Sequence, residues 1–422
     1  MPETDATIDR ESRPDLGPLA NIVLAGRDMT EPLKINDYIF ESPDLSSSFL
    51  VTTDDGDVII NTGCTGNGLK HKSRYATVSQ APVRYLVLTQ SHIDHIAGVA
   101  DLKGEDTKLI TQQRFPEIAG SRRMLADFWQ GRKDRLLKDV MGDNYSIETM
   151  DVPVPDITFE HEYAFEVGQR RFELFHAPGG EALDGVLVWL PRERVLFTGN
   201  MFGPIIGHLP NLYTIRGERI RSASEFVRCV NLALDLEPEL VVEGHAKGVT
   251  LDAATFRERA TRVRDAVQWL HDEVIAGMNA GKDVWTLMRE IRLPDDLAVA
   301  ETHGKVAWCV RAIWEEYVGW FHYDSTTSLY DVRPTAVHPD LAELAGGVEP
   351  IAQRAQARFD AGELMESLYL AEIVLSVEPG HRQALELSRD IHEQLLEQTG
   401  RENFFETFWL QSCVTEAERG LA

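Results

Sequence analysis

The chain has 422 residues, enough for two or three domains, and its 43% hydrophobic and 26% charged content is that of an ordinary globular protein. Its 68 acidic and 42 basic residues leave a net charge of −26, which argues against nucleic acid and anionic membranes as partners. No apolar run approaches the roughly 20 residues of a membrane span. The cysteines are scattered without a Cys-x-x-Cys pair and the N-terminus does not resemble a signal peptide, so we expect free thiols and a cytoplasmic location.

The first 255 residues alternate short β-rich runs with loops and helical stretches. Residues 1–20, rich in Pro, Asp and Glu, are expected to form a loose N-terminal arm. Two apolar runs around an Asp-Asp-Gly turn predict a β-hairpin over residues 48–63. The other predicted elements are strands over 171–176, 186–190, 195–199 and 240–243 and helices over 124–140 and 222–234. This mixture indicates an α/β domain over residues 21–255.

Beyond residue 255 the hydrophobic pattern is almost entirely helical. The predicted helices are 253–279, 283–291, 304–321, 348–361, 363–377, 381–397 and 402–418. A segment with two prolines, 329–340, is the expected linker within this region. It would divide the helical domain 256–422 into a first part, 256–333, and a tetratricopeptide-like part, 340–422.

The most informative segment is Gln90-Ser91-His92-Ile93-Asp94-His95, which directly follows an apolar, β-rich run over residues 85–88. Two imidazoles and a carboxylate within four residues suit a borderline cation such as zinc. His92 and Asp94 have the spacing that puts both side chains on one side of an extended segment. The segment therefore predicts metal ligands at the end of a buried strand.

Three other polar side chains follow predicted strands, and each is a candidate ligand. Glu181 comes shortly after strand 171–176, Asn200 after strand 195–199, and His245 after strand 240–243. A two-metal hydrolase site needs ligands delivered from several strand ends onto one point. We therefore expect these residues to lie near Asp94.

These motifs, in this chain order, resemble the metallo-β-lactamase fold and its His-x-His-x-Asp-His signature, with Gln90 in place of the first histidine. Pro178–Ala182 is similar to the Pro-Gly-Thr-Glu-Ala segment of alkylsulfatases, and Asn211–Gly217 is similar to their Asn-Leu-Tyr-Thr-Leu-Arg-Gly run. Tyr317–Phe321 and Phe359–Glu363 are similar to landmarks of the alkylsulfatase dimerisation domain. The resemblance implies an αββα sandwich followed by an all-α helical dimerisation region, and hence a homodimer.

The resemblance also implies two metal sites. One would be built from Gln90, His92 and Glu181, and the other from Asp94, His95 and His245. In addition, Asp94 would orient the attacking water as a catalytic residue, while Asn211 and Arg216 would hold the sulfate group of an anionic small-molecule substrate. Arg216 has an alternative partner in a nearby carboxylate such as Glu218.

Departures from the family pattern weaken the first of these sites. Gln90 replaces a histidine, and Asn200 stands where alkylsulfatases have a glutamate ligand. An amide carries no charge to offset two divalent cations and is a weak ligand. We therefore expect one tightly held metal, zinc or alternatively iron or manganese, with the second metal weak or absent. Two other residues also differ from the family pattern. Asn61 replaces an aspartate that many members have, and His303 replaces a tyrosine.

The sequence leaves three functions open. The first is a metal-dependent hydrolase that uses an activated water to cleave a sulfate ester or a similar anionic ester. The second is a diverged metalloenzyme with non-hydrolytic chemistry, either a lyase or an iron or manganese oxidase. The third is a non-catalytic dimeric scaffold with a degraded site. Retention of most ligand positions argues against the scaffold, and the hydrolase is the main interpretation.

Overall fold

The computed structural model describes the backbone of residues 28–141, 151–245, 248 and 250–422, so the arm expected over residues 1–20 lies outside it. The chain divides into two compact units, one ending at Trp320 and the other spanning Phe321–Ala422. The first unit contains two β-sheets, and the described elements of the second are helical.

The first unit contains two sheets, and in each sheet the strands are arranged in the order in which they occur in the chain. The first sheet contains β1 Leu33–Lys34, β2 Ile39–Ser42, β3 Ser48–Thr53, β4 Gly56–Ile60, β5 Val83–Val87, β6 Lys108–Gln112 and β7 Ile157–Phe159. The second sheet contains β8 Glu162–Val167, β9 Arg170–His176, β10 Val186–Leu190, β11 Val195–Phe197, β12 Leu240–Val242 and β13 Thr250–Asp252. Strands β4 to β7 are parallel to one another, and in the second sheet only β11 and β12 are parallel.

Helices cover the outer faces of the two sheets. The helices of this unit are α1 Gly68–Ala76, α2 Ile93–Ile96, α3 Val99–Leu102, α4 Phe115–Met124, α5 Ala126–Met141, α6 Ala223–Asp235, α7 Ala253–Asn279, α8 Val284–Glu290 and α9 Val306–Val318. Three of them begin with side-chain caps, since Ser222, Asp252 and Asp283 accept from the backbone N–H groups of Glu225, Thr255 and Thr286, respectively. None of the described helices combines the length and apolar character that a membrane span requires.

The apolar side chains arrange these elements in four layers. Strand β10 is buried along its whole length, which explains its continuous hydrophobic sequence. Val186 and Val188 pack against the first sheet, whereas Leu187 and Trp189 pack against helices on the outer face. On the far side of the first sheet, Leu86 packs against α2, α3 and α4. The αββα sandwich implied by the resemblance is therefore confirmed.

The predicted hairpin and strands are also confirmed, with two shortened ends, since β12 ends at Val242 instead of Glu243. Strand β11 ends at Phe197 instead of Gly199, because Gly199 has a φ of 51° and turns the chain away from the sheet. Helices α7, α8 and α9 share a hydrophobic core with the second sheet. The change of sequence character near residue 255 therefore falls inside one compact unit, and the domain limits given above remain a prediction.

The second unit is a stack of helices joined by short turns. Its helices are α10 His338–Ala345, α11 Glu349–Asp360, α12 Leu364–Val377, α13 Arg382–Gln398 and α14 Phe404–Leu421. Neighbouring helices pack through small apolar cores that include Ala355, Ala371 and Ile391. The expected linker 329–340 contains a short 3-10 turn, Pro334–Val337, and the start of α10.

Candidate metal centre and arginine cluster

The loop that carries the histidine motif is fixed at its start by Asn61. This residue ends β4 in a left-handed conformation with a φ of 59°, which asparagine tolerates better than most residues. Its side-chain oxygen accepts from the Thr89 backbone N–H at 2.9 Å, and its amide donates to the Thr89 hydroxyl at 3.0 Å. The amide thus serves as donor and acceptor, whereas an ionised aspartate at this position could only accept.

Asp94, His95 and His245 form a compact group of metal-ligating side chains. The Asp94 Oδ2 atom lies 3.5 Å from His95 Nε2 and 3.9 Å from His245 Nε2. Among the residues that the structure describes, this is the one group of three or more His, Cys, Asp or Glu side chains whose ligand atoms lie within 4.8 Å of one another. One carboxylate and two imidazoles suit zinc with a position left open.

The far sides of the two imidazoles are held by the loop between β2 and β3. The Leu45 carbonyl can only accept, so His245 carries a proton on Nδ1 and has its lone pair on Nε2. The Ser46 hydroxyl lies 2.8 Å from His95 Nδ1 and also donates to the Gly244 carbonyl at 3.4 Å, which leaves its oxygen to accept from His95. Both Nε2 lone pairs therefore face the same side as Asp94.

Burial keeps these imidazoles in the neutral form that binds a metal. It lowers the pKa of His95 to about 3 and also lowers the pKa of His245. Burial alone would raise the pKa of Asp94, but the neighbouring histidines bring it below its usual value. The group is therefore a carboxylate with two neutral imidazoles near pH 7.

Asn200 closes this group from the second sheet. Its Nδ2 atom lies 3.1 Å from His95 Nε2 and 2.8 Å from His245 Nε2, so one amide donates to both lone pairs that would bind a metal. Its Oδ1 atom is buried and has no hydrogen-bond partner among the described residues. A cation between the imidazoles would have to displace the amide hydrogens of Asn200. Rotation of this amide by about 180° would turn its oxygen toward the cation instead.

Glu181, the other carboxylate expected at a metal site, pairs with cations. It is 3% exposed and forms an ion pair with Arg216. Its second oxygen lies 3.4 Å from His303 Nε2, and its first lies 3.7 Å from His92 Nδ1. Burial alone would raise the pKa of Glu181, but Arg216 and His303 lower it well below its usual value. Glu181 is therefore a buried carboxylate held by cations.

A second carboxylate, that of the half-buried Glu218, is the centre of an arginine cluster. It forms ion pairs with Arg122 and Arg221, and its Oε2 atom lies 3.3 Å from Arg216 Nη2. The Oε1 atom also lies 3.5 Å from His92 Nε2. Although burial would raise the pKa of Glu218, Arg216 and Arg122 hold it well below its usual range. The alternative partner expected for Arg216 is thus present in the structure.

The structure brings the predicted site residues into two adjoining groups. His92 lies between the two glutamates, one facing each ring nitrogen, and is outside the compact group around Asp94. The Gln90 side-chain amide is buried, and its nitrogen has no hydrogen-bond partner among the described residues. The Asn211 side chain is also buried, with neither its nitrogen nor its oxygen bonded to a described residue. The roles of these residues as ligands or substrate contacts remain predictions.

An αββα sandwich with an Asp-His-His group at its strand ends defines a metallo-β-lactamase-type protein. Residues 42–245 match the family model of the metallo-beta-lactamase superfamily, and residues 286–416 match that of alkyl sulfatase dimerisation. The chain therefore combines a metallo-beta-lactamase superfamily domain with an alkyl sulfatase dimerisation domain.

Individual relatives agree with this assignment. The chain is 25% identical to the alkyl/aryl-sulfatase BDS1 of Saccharomyces cerevisiae, over 86% of this chain and 60% of the yeast protein. It is 23% identical to a linear primary-alkylsulfatase of Pseudomonas sp., over 83% of this chain and 70% of that protein. The solved structure of the stereoselective inverting sec-alkylsulfatase Pisa1 from Pseudomonas sp. superposes with a TM-score of 0.81 at 20% identity, covering 93% of this chain and 66% of the other. This structural likeness shows the fold.

Proposed function

We propose that the protein is a metal-dependent hydrolase that cleaves a sulfate ester, or a similar anionic ester, of a small molecule. The observation that carries this proposal is the meeting of a metal-ligating group with the arginine cluster at one end of the sandwich. Glu181 pairs with Arg216 and also lies 3.7 Å from the ring of His92, two residues before Asp94. An ester bound by Arg216 would therefore lie beside the metal ligands.

Asp94, His95 and His245 are the residues that would hold the metal, and their donor atoms fit zinc, with iron or manganese as alternatives. When bound there, zinc supplies a Lewis acid that lowers the pKa of a water to about 7 and polarises an anionic oxygen. Asp94 keeps 12% of its side chain exposed, whereas His95 is fully buried, so Asp94 faces the open side and would orient the attacking water.

The anionic group of the substrate would be held by Arg216 and Asn211. A guanidinium forms strong, paired hydrogen bonds with oxyanions, and it offsets negative charge that develops during hydrolysis. The buried Asn211 amide supports this assignment, because the described residues leave its nitrogen and oxygen without partners. The cytoplasm remains the proposed compartment, supported by the free thiols of Cys229 and Cys309.

The function is tested by the release of inorganic sulfate from linear and secondary alkyl sulfates. We expect the wild-type protein to release sulfate. We expect Arg216→Ala to lower kcat/KM by about 100-fold, because the buried Glu181 carboxylate and the bound anion would both lose a partner. Arg219→Ala is the matched control, since Arg219 lies three residues away, is 55% exposed and pairs with Glu117. Absence of release by the wild-type protein, or equal loss in both variants, would contradict the proposal.

The protein is further proposed to act as a homodimer formed through its helical region. This region contains large apolar side chains that are more than half exposed, namely Tyr323, Leu329, Tyr330, Val332 and Leu344. All of them lie within residues 286–416, which match the dimerisation family. Exposed apolar side chains that are this close in the chain are typical of an interface between subunits.

The double variant Tyr330→Asp with Leu344→Asp is expected to shift the protein from dimer to monomer, because two charges would be buried in the interface. Light scattering coupled to size-exclusion chromatography measures the change in mass. Leu69→Asp provides the control, since Leu69 is 64% exposed and lies outside the matched region. A monomeric wild-type protein, or a dimeric double variant, would refute this proposal.

A further inference from the structure

The arginine cluster around Glu218 has the composition of an anion-binding pocket that already contains an anion. Arg122, Arg216 and Arg221 all direct guanidinium nitrogens at the two oxygens of one carboxylate. Arg221 is 2% exposed and Glu218 is 15% exposed at the side chain, so solvent screens these pairs only partly. The carboxylate therefore occupies the position in which these arginines would hold the oxygens of a bound anion.

The charges of the cluster show that this carboxylate is needed when no other anion is present. Three guanidiniums face the two carboxylates of Glu181 and Glu218, which leaves a surplus of one positive charge. Removing the Glu218 charge would leave three buried or half-buried cations with one counter-ion, a costly arrangement at low dielectric. An incoming singly charged anion that replaced Glu218 would keep this balance unchanged.

We propose that Glu218 is a resident counter-ion of the arginine pocket and determines its specificity, because the anionic group of the substrate must displace its carboxylate to bind. The inference rests on the proposed hydrolysis of an anionic ester and identifies the competitor that this ester meets. A displaced carboxylate remains tethered near the pocket and repels the bound anion in proportion to its charge. Glu218 therefore favours a singly charged group, such as a sulfate monoester, over a doubly charged phosphate monoester.

The experiment compares anion binding by the wild-type protein, Glu218→Gln and the control Glu239→Gln, using isothermal titration calorimetry. Glu239 is 71% exposed at the side chain and pairs with Arg194, away from the cluster. The probes are octanesulfonate, which is singly charged and cannot be hydrolysed, and octylphosphonate at a pH where it carries two charges. We expect Glu218→Gln to lower the Kd of octanesulfonate about tenfold, and that of octylphosphonate more, with one anion per protomer throughout.

Three outcomes would overturn the inference. Unchanged or weaker binding by Glu218→Gln would mean that Glu218 orients the arginines for the anion. Two anions per protomer in that variant, against one in the wild type, would mean that the substrate binds elsewhere. An equal gain for both probes would remove the charge selection.

Two further measurements guard against a variant that only misfolds. The melting temperature of Glu218→Gln should rise more with added inorganic sulfate than that of Glu239→Gln, because both share the general stabilisation by sulfate but only the first has a vacated pocket. Glu218→Asp keeps the charge but is shorter by one methylene, so we expect an intermediate gain in affinity. Tighter anion binding without sulfate release by any variant would contradict the proposed function alone, whereas sulfate release without the gain would contradict this inference alone.

Discussion

Replacing His245 with alanine is expected to abolish metal binding by the purified protein, and His95→Ala is expected to do the same. The two imidazoles supply two of the three donors in the one described group that can hold a metal. A site with a single carboxylate and one imidazole no longer has the three protein ligands of a catalytic zinc site. Sulfate release should fall to background in both variants, and elemental mass spectrometry of the purified protein measures the loss of metal.

A variant with a smaller expected loss of metal affinity and a control variant show whether this result is specific to the site. Ser46→Ala removes the hydroxyl that holds His95 Nδ1 but leaves every ligand in place, so we expect metal affinity to fall by about 10- to 100-fold. His161→Ala serves as the control, because His161 is 81% exposed and lies outside the site. Full metal content in both His95→Ala and His245→Ala would show that the metal is bound elsewhere.

Asn200→Asp is expected to increase the affinity for zinc by at least about tenfold. In the wild-type protein the Asn200 amide donates to both imidazole nitrogens, and these two hydrogen bonds must break before a cation can bind there. A carboxylate cannot donate to them, and its charge attracts a divalent cation by several kcal/mol at roughly 4 Å, even with an effective dielectric constant of about 20. Competition with a chromophoric zinc chelator measures the change in Kd.

Asn200→Ala separates the two effects of this substitution. It removes the amide donors without adding a ligand, so its zinc affinity should fall between those of the wild-type protein and Asn200→Asp. Combining Gln90→His with Asn200→Glu should in addition raise the number of metals per protomer, because both departures from the family pattern are then reversed. Zinc affinity of Asn200→Asp at or below the wild-type value would mean that this side chain does not face the metal.

Local sequence patterns were sufficient to predict much of the fold. The Asp-Asp-Gly turn predicted the hairpin of β3 and β4, and the apolar run over residues 186–190 predicted the strand β10, which the structure shows to be buried along its whole length. Asp94 and His95 follow a strand as expected, and His245 joins them because β12 ends at the same side of the sandwich. The hairpin and the strands depend on residues that are neighbours in the chain, whereas the meeting of His245 with Asp94 depends on how the strands are arranged in the fold.

The arginine cluster could not be predicted in the same way. Arg122 lies on α4 and reaches Glu218 across 96 residues, and Ser46 reaches His95 across 49. Neither contact leaves a periodicity or a spacing in the sequence. Glu218 itself follows the alkylsulfatase-like run directly, so its closeness to Arg216 was visible, but its burial among three arginines depends on tertiary packing.

We expect Asp94, His95 and His245 to hold one metal tightly, and the position beside Gln90 and His92 to hold a second metal weakly or not at all. The most direct test is the metal content per protomer, measured by elemental mass spectrometry on protein purified without added metal. The structure predicts one ion per protomer, zinc in the first place, with iron or manganese as alternatives. Two tightly bound ions, or none, would contradict the account.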